Sequence, residues 1–308
     1  MLMCARLGQR LTLGSFLLFA LALSVAHAND VDPPASPHHR SVARRVRDSG
    51  ESPNLRSAAA LVLDATHSSV LYSRQADVAM PIASITKLMT ALVVADARLP
   101  LDEEIEITGE DKSLHKGAYS RLTVGTRLSR GDLIHLALMS SENRAAHALG
   151  RSYPGGVPHF VQAMNAKAHD LGMTNSHFVD PTGLSSDNIA SPEDLSKLVL
   201  AASENPTIRN YSTDPYYSVR VGRHLMEFHN TDSLVSNPTW NILVQKTGYI
   251  AEAGRCLVMQ AVIEGRNVVI VLLNSFGKRT RVADAARIRK WMEATLGTDG
   301  RHGIASIS

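Results

Sequence analysis

The chain has 308 residues, of which 44% are hydrophobic, and its formal net charge is +3 at pH 7. A chain of this length can bury a large hydrophobic core without help from disulfides or structural metals. A net charge so close to zero gives no support to a nucleic-acid partner, because such proteins need a concentrated basic face.

Residues 1–28 have the organisation of a secretory signal peptide. Arg6 and Arg10 precede an apolar run from Phe16 to Leu23, and the small-residue pattern Ala26-His27-Ala28 follows it. We therefore predict cleavage after Ala28 and export to the periplasm. A membrane anchor is the alternative, but a spanning helix needs about 20 apolar residues. Only 18 residues lie between Arg10 and Asn29, and several of them are polar. We expect no stable membrane anchor after cleavage.

Residues 29–56 are expected to form a disordered leader. Proline and arginine are frequent there and aliphatic residues are scattered, a composition that does not bury enough apolar surface to fold. Arginines could contact an acidic polymer, but a solvated linker is the simpler interpretation. Cys256 is the one cysteine beyond the signal, which excludes an internal disulfide. Its apolar surroundings predict a buried, inert thiol.

The folded part is predicted to extend over residues 57–298, followed by a flexible tail over 299–308. Two short apolar runs, Ala60–Leu63 and Val70–Tyr72, flank a polar turn and indicate a β-hairpin. Apolar residues then recur at helical spacing, with Ser or Pro near several starts. The predicted helices are Ser84–Val94, Ser129–Leu138, Arg144–Leu149, Pro158–Leu171 and Pro192–Ala202.

Beyond residue 210 the pattern changes to that of strands. These are predicted at Tyr216–Val221, Leu225–Phe228, Ile242–Lys246, Cys256–Ile263 and Val268–Leu273, before a final amphipathic helix, Ala283–Leu296. The polar face of that helix is mixed in sign, which favours packing on the sheet over membrane binding. The fold class is α/β in the α+β sense: an antiparallel sheet from both chain ends, flanked by helices, with an inserted all-helical subdomain.

The first motif with chemical meaning is Ser84-Ile85-Thr86-Lys87. Residues three apart at a helix start share a face, so the Ser84 hydroxyl and the Lys87 amine can meet. A serine is a poor nucleophile unless a base takes its proton. Lysine can be that base only if burial and nearby positive charge lower its pKa from about 10.4. A capping serine with a surface lysine is the ordinary alternative, but Lys87 lies in an apolar segment where an unpaired charge is costly.

Two further motifs follow, Ser141-Glu142-Asn143 and Lys246-Thr247-Gly248. The first falls between two predicted helices, on a loop that can aim Ser141 and Asn143 into a cleft. Taken by itself, this motif is better explained as a helix cap. The second is predicted to end a strand, where glycine allows a ligand to approach the backbone. There a lysine and a threonine could bind a carboxylate. Each motif alone is ordinary, and their order and separation make the combination specific.

These motifs and their flanking residues resemble the low-molecular-weight penicillin-binding proteins, that is, the D-alanyl-D-alanine carboxypeptidase and endopeptidase family. The resemblance covers roughly Ser57 to Leu296. It is strongest to the DD-endopeptidase branch, in the stretches Pro81–Thr90, Met139–Ala146, Phe178–Leu184 and Ala253–Leu257.

The resemblance implies a β-lactamase/DD-peptidase-like fold and a serine hydrolase that cleaves D-alanyl bonds in peptidoglycan peptides. The reaction would pass through an acyl-enzyme on the nucleophile Ser84, with Lys87 as general base, Ser141 as proton relay and Lys246 in the charge network. β-Lactams would act as covalent inhibitors. No cofactor is implied, and the sequence has no His-Glu-x-x-His pattern that would suggest a metal.

Substrate binding would fall to the remaining motif residues. The resemblance places Asn143, Thr247 and Gly248 against the substrate, and it places an oxyanion hole at the backbone N–H groups of Ser84 and Tyr249. Preorganised donors of this kind are each worth about 3 kcal/mol in related chemistry.

Three other functions are weighed against DD-endopeptidase activity. The motifs do not distinguish it from carboxypeptidase activity, because both reactions break a bond after D-alanine. A class A β-lactamase would need a dedicated carboxylate for deacylation, and the nearest candidate, Glu193, has the setting of a first helical turn. An inactive wall-binding scaffold would have no need of the complete set of motif side chains.

Overall fold

The computed structural model describes residues 52–112 and 119–299. The predicted signal peptide, the leader up to residue 51 and the tail from residue 300 lie outside the described residues. The strands, in chain order, are β1 Ser57–Asp64, β2 Ser69–Arg74, β3 Met80–Pro81, β4 Glu104–Glu106, β5 Arg127–Ser129, β6 Ile189–Ala190, β7 Tyr216–Val221, β8 His224–His229, β9 Asn241–Ile250, β10 Gly254–Ile263 and β11 Arg266–Ser275. The α-helices are α1 Thr86–Asp96, α2 Arg130–Met139, α3 Asn143–Arg151, α4 Gly156–Asp170, α5 Pro192–Glu204, α6 Pro206–Thr213 and α7 Thr280–Asp299.

The central element is a five-stranded sheet in the order β2-β1-β11-β10-β9. Every neighbouring pair in it is antiparallel. The sheet joins both ends of the folded chain, since β1 pairs with β11, with Ser57 opposite Ser275. The predicted fold class is therefore confirmed, including the hairpin of β1 and β2.

Both faces of the sheet are covered, which the alternation of side chains along β1 makes plain. Ala59 and Leu61 belong to the core shared with the helices between β2 and β9, whereas Ala60 and Val62 belong to a second core. Successive residues of a strand point to opposite faces, so one apolar strand can serve two cores. In the second core, Ile288 and Met292 of α7 are buried, as the amphipathic pattern predicted. The sheet is thus sandwiched between α7 and the helical part.

Helices α2 and α5 begin at residues that favour the start of a helix. Ser129 caps α2 by accepting a hydrogen bond from the Asp132 backbone N–H at 3.0 Å. Ser191 caps α5 in the same way, with Pro192 in the first turn. Nine consecutive residues of α1, Thr86 to Val94, are buried, so this helix runs through the centre of the helical part. None of the helices in the described ranges has the combined length and hydropathy of a membrane span.

Four details differ from the sequence prediction. Strand β9 runs to Ile250 rather than ending at the Lys246 motif, because residues 247–250 pair with β10. Helix α6 was not predicted, although Asn205 caps it and Pro206 opens it. Strands β7 and β8 form a separate two-stranded hairpin outside the central sheet. Helix α7 ends at Asp299, one residue past the predicted end of the domain.

Candidate active site

Ser84 lies in a tight turn at the entrance to α1. Residues Ala83–Ile85 form a single 3₁₀ turn, and the α-helix starts at Thr86. Ala83 has a φ of 48°, in the left-handed region that non-glycine residues rarely occupy. The turn is held by the Thr86 hydroxyl, which donates to the Ala83 carbonyl at 2.8 Å. One turn later, Lys87 directs its Nζ to the Ser84 Oγ at 2.7 Å, as the three-residue spacing predicted.

Lys87 is completely buried and makes two more hydrogen bonds. Its Nζ donates to the Asn143 Oδ1 at 2.8 Å and to the Thr182 carbonyl at 2.6 Å. Burial lowers the pKa of Lys87 to about 7, because desolvation disfavours the charged amine, while the carboxylates of Asp180 and Glu142 oppose the shift. Of the two expected causes of a lowered Lys87 pKa, burial is confirmed. Nearby positive charge was wrong, because the charges that act on Lys87 are the negative ones of Asp180 and Glu142.

The second motif connects α2 to α3. Ser141 has a φ of 61°, so the chain turns sharply between the two helices, and Asn143 is the first residue of α3. Glu142 is buried and caps α3, since its Oε2 accepts from the Asn143 backbone N–H at 3.0 Å. Its Oε1 accepts from the Ser120 hydroxyl and from the Leu122 backbone N–H. The loop placement is therefore confirmed for Ser141, whereas Asn143 already belongs to α3, which Glu142 caps. Glu142 also anchors a neighbouring segment to this loop.

The third motif lies on β9, at the edge of the central sheet. Lys246 is completely buried, and its Nζ donates to the Thr247 carbonyl at 2.9 Å. Burial lowers the Lys246 pKa well below its usual range, and the positive charges of Lys87 and Arg281 act in the same direction. Asp232 opposes them. The Thr247 hydroxyl lies 2.6 Å from that of Thr231.

Two glycines allow the chain to close around the Ser84 turn. A Cβ on Gly248 would lie 2.8 Å from the Ile82 carbonyl oxygen and 3.2 Å from the Ser84 backbone nitrogen. A Cβ on Gly183, where φ is +78°, would lie 1.9 Å from the Ala83 carbonyl oxygen. The 2.8 Å and 1.9 Å separations are too short for any other residue without a shift of backbone. Strand β9 and the loop at Gly183 thus pack against the turn from different sides. The approach of a ligand to Gly248 stays a prediction.

A cavity of about 740 Å³ opens over this arrangement. Ser84, Ser141 and Asn143 line it together with Thr247, Gly248 and Tyr249. Six of the eight predicted site residues therefore border one cavity, and Lys87 and Lys246 lie buried beside it.

The sequence reasoning missed four residues of the site. Thr231, Arg255 and Arg281 line the cavity, and the Thr182 carbonyl accepts a hydrogen bond from Lys87. Arg281 reaches from α7 to the Gly248 carbonyl at 3.3 Å. Thr182 and Arg255 fall within Phe178–Leu184 and Ala253–Leu257, two of the stretches that carry the family resemblance, and that was the available signal for them. No motif of the sequence marks Arg281, which the fold brings to β9.

Three other residues with reactive or titratable side chains do not line the cavity. Cys256 is buried, and desolvation raises the pKa of its thiol to about 11, as expected of an inert cysteine. His135 stacks between Tyr211 and Tyr217. Glu193 lies in the first turn of α5 and is absent from the cavity wall.

Comparison with known proteins gives a consistent result. The family model for D-alanyl-D-alanine carboxypeptidase matches residues 47–277. A D-alanyl-D-alanine endopeptidase of Pseudomonas aeruginosa is 46% identical over 284 residues, covering 91% of this chain and 87% of the relative. One from Escherichia coli is 44% identical over 279 residues, with 90% and 87% covered.

Solved structures agree with this result. A Streptomyces DD-transpeptidase superposes with a TM-score of 0.74 at 28% identity, over 79% of this chain and 99% of that one. A D-alanyl-D-alanine carboxypeptidase from Mycobacterium tuberculosis gives a TM-score of 0.72 at 28% identity, over 79% and 93%. The chain belongs to the D-alanyl-D-alanine carboxypeptidase family of serine DD-peptidases.

Proposed function

We propose that this protein is a periplasmic serine DD-endopeptidase that hydrolyses D-alanyl crosslinks in peptidoglycan. The observation that carries the proposal is the pair formed by Ser84 and Lys87: a hydroxyl and a fully buried amine 2.7 Å apart, where burial brings the pKa of the amine to about 7. A neutral amine can accept the serine proton over the same distance. Serine activation by such a base is the requirement for covalent catalysis at neutral pH.

Acyl transfer would proceed with a separate role for each group of the site. Ser84 attacks the D-alanyl carbonyl carbon while Lys87 takes its proton, and negative charge develops on the carbonyl oxygen. The backbone N–H groups of Ser84 and Tyr249 stabilise that charge, an assignment supported by the close packing of Gly248 against the Ser84 nitrogen. Ser141 relays the proton to the leaving amine as the scissile C–N bond breaks, and Lys246 belongs to the charge network beside the nucleophile. Water then hydrolyses the ester.

Substrate orientation rests on the residues that border the cavity. Asn143 holds a substrate amide through its side chain, which also touches Lys87. The carboxylate next to the leaving amine binds at Thr247, whose hydroxyl is positioned by Thr231, and at Arg281 above Gly248. The substrate backbone lies along the free edge of β9.

The endopeptidase reaction is preferred to the carboxypeptidase reaction because the relatives at 46% and 44% identity are named endopeptidases. We also propose that residues 1–28 are a cleaved signal peptide, 29–56 a linker and 57–298 the catalytic domain.

The proposal is tested by labelling the protein with a fluorescent penicillin and mapping the adduct by mass spectrometry. Wild type should form a slowly hydrolysed adduct on Ser84, and Ser84→Ala should form none. Ser186→Ala removes another hydroxyl from the wall of the same cavity and should label normally. No adduct on wild type would indicate an inactive scaffold, and rapid turnover would indicate a β-lactamase.

The leaving group is tested on purified muropeptides. Conversion of crosslinked dimers to monomers supports the endopeptidase. Release of terminal D-alanine from uncrosslinked pentapeptides, with dimers left intact, would assign the protein as a carboxypeptidase.

A further inference from the structure

Arg255 and Tyr249 form a cation–π pair in the wall of the cavity. They are directly opposite each other on β10 and β9, so their side chains lie on the same face of the sheet. The Arg255 guanidinium lies over the Tyr249 ring, 4.5 Å from its centroid. Tyr249 is 57% exposed, so its ring is accessible from the cavity that it lines. The ring holds the guanidinium in place while leaving its hydrogen-bond donors free.

Two arginines bring positive charge to this part of the cavity wall. Arg255 and Arg281 both line it, and the positive charge of Arg255 is close enough to help lower the pKa of Arg281. Neither arginine forms an ion pair with a carboxylate among residues 52–112 and 119–299. Glu252 lines the same cavity without pairing with either. The charge of the buried Asp232 acts on Arg281 and opposes the lowering of its pKa. Arg255 has no carboxylate partner within the described ranges, so its guanidinium is the one that can bind a further anion.

The position of the pair indicates which part of a substrate would supply that anion. The scissile carbonyl lies between Ser84 and Tyr249, and Arg281 with Thr247 binds the carboxylate beside the leaving amine. Arg255, opposite Tyr249 on β10, adds a second guanidinium to the same cavity wall. In a simple D-alanyl-D-alanine end, the leaving residue stops at its one carboxylate. In a crosslink, the leaving amine belongs to a second peptide that has further carboxylates.

We propose that Arg255, held against Tyr249, binds a carboxylate of the second stem peptide and so selects crosslinked over uncrosslinked substrate. This inference rests on the proposed endopeptidase function and deepens it by naming a specificity residue. The predicted contact is a charge-assisted hydrogen bond made before and during acylation. Its loss should raise KM for crosslinked substrate more than it lowers kcat.

The test compares wild type with Arg255→Gln on crosslinked muropeptide dimers, with penicillin acylation measured in parallel on the same preparations. We expect kcat/KM on dimers to fall about tenfold more than the acylation rate falls. Arg255→Lys should recover part of the loss, since it keeps the charge without the planar fork. Arg220→Gln, on the exposed face of β7, is the matched control and should change neither rate.

A second substrate separates recognition from a structural effect. Dimers in which the second stem peptide keeps the carboxylate beside the leaving amine, and has its other carboxylates converted to amides, should be cleaved more slowly by wild type. Arg255→Gln should cleave these amidated dimers and the free dimers equally. A loss in Arg255→Gln that is the same for both dimers, or for dimers and penicillin, would overturn the inference and leave the endopeptidase function intact. If wild type leaves dimers uncut but trims pentapeptides, both proposals fail together.

Discussion

The pKa of Lys87 leads to a specific pH profile for acylation. The folded value is about 7, against an ordinary value of 10.5, so the amine loses its proton within the physiological range. If the neutral amine is the base, the neutral fraction is about one tenth at pH 6 and about nine tenths at pH 8. The acylation rate should therefore rise about tenfold between these values and then level off.

The assay is the second-order rate of acylation by fluorescent penicillin, measured from pH 5.5 to 9.5. Lys87→Arg keeps a positive charge at every pH in this range. It should therefore acylate at least about a hundredfold more slowly. Lys197→Arg is the matched control, because Lys197 pairs with Asp194 near the surface at 2.9 Å, and arginine can keep that pair. It should reproduce the wild-type profile.

Two results would refute this reasoning. A rate that continues to rise up to pH 9.5 would mean that Lys87 keeps its proton and that burial is not the dominant influence on it. A rate that is flat across the range would mean that another group activates Ser84.

Three further predictions concern the support of the site. Gly183→Ala should destabilise the protein by at least about 2 kcal/mol more than Gly125→Ala in chemical denaturation, because both glycines have positive φ but only Gly183 would meet backbone; equal losses would contradict the packing argument. Glu142→Gln removes a charge that raises the pKa of Lys87, so the midpoint of the acylation profile should move to lower pH, and a shift upward would exclude this electrostatic role. Ser129→Ala should cost about 1 kcal/mol of unfolding free energy through loss of the α2 cap, with an unchanged acylation rate after refolding, and no change in stability would argue against the cap.

Much of the fold could be predicted because its signals are local. Apolar periodicity located α1, and the cap at Ser129 located α2. The end of β9 was missed because Thr247, Gly248 and Tyr249 carry no apolar run, and their pairing with β10 is what makes them strand. The membership of β7 and β8 in a separate hairpin depends on tertiary packing rather than on their own sequence.

The site was predictable to the extent that motifs encode it. The three-residue spacing predicted the contact between Ser84 and Lys87, and the structure shows it at 2.7 Å. The Thr182 contact was not predictable from residue type, because Lys87 meets a backbone carbonyl that any residue could offer. Arg281 comes from α7, far along the chain, and no spacing rule connects it to β9. The catalytic roles of Ser84, Lys87, Ser141 and Lys246 remain predictions that the experiments above address.

The pairing of β1 with β11 has a consequence for how the protein acquires its structure. The two strands are adjacent in the sheet, yet Ser57 and Ser275 are 218 positions apart. Closing so long a loop delays folding, and strands that wait for a distant partner present unpaired edges. The first strand therefore cannot complete its ladder until nearly the whole chain has been synthesised. During that interval the apolar segment 59–63 is the part of the chain most in need of protection from aggregation.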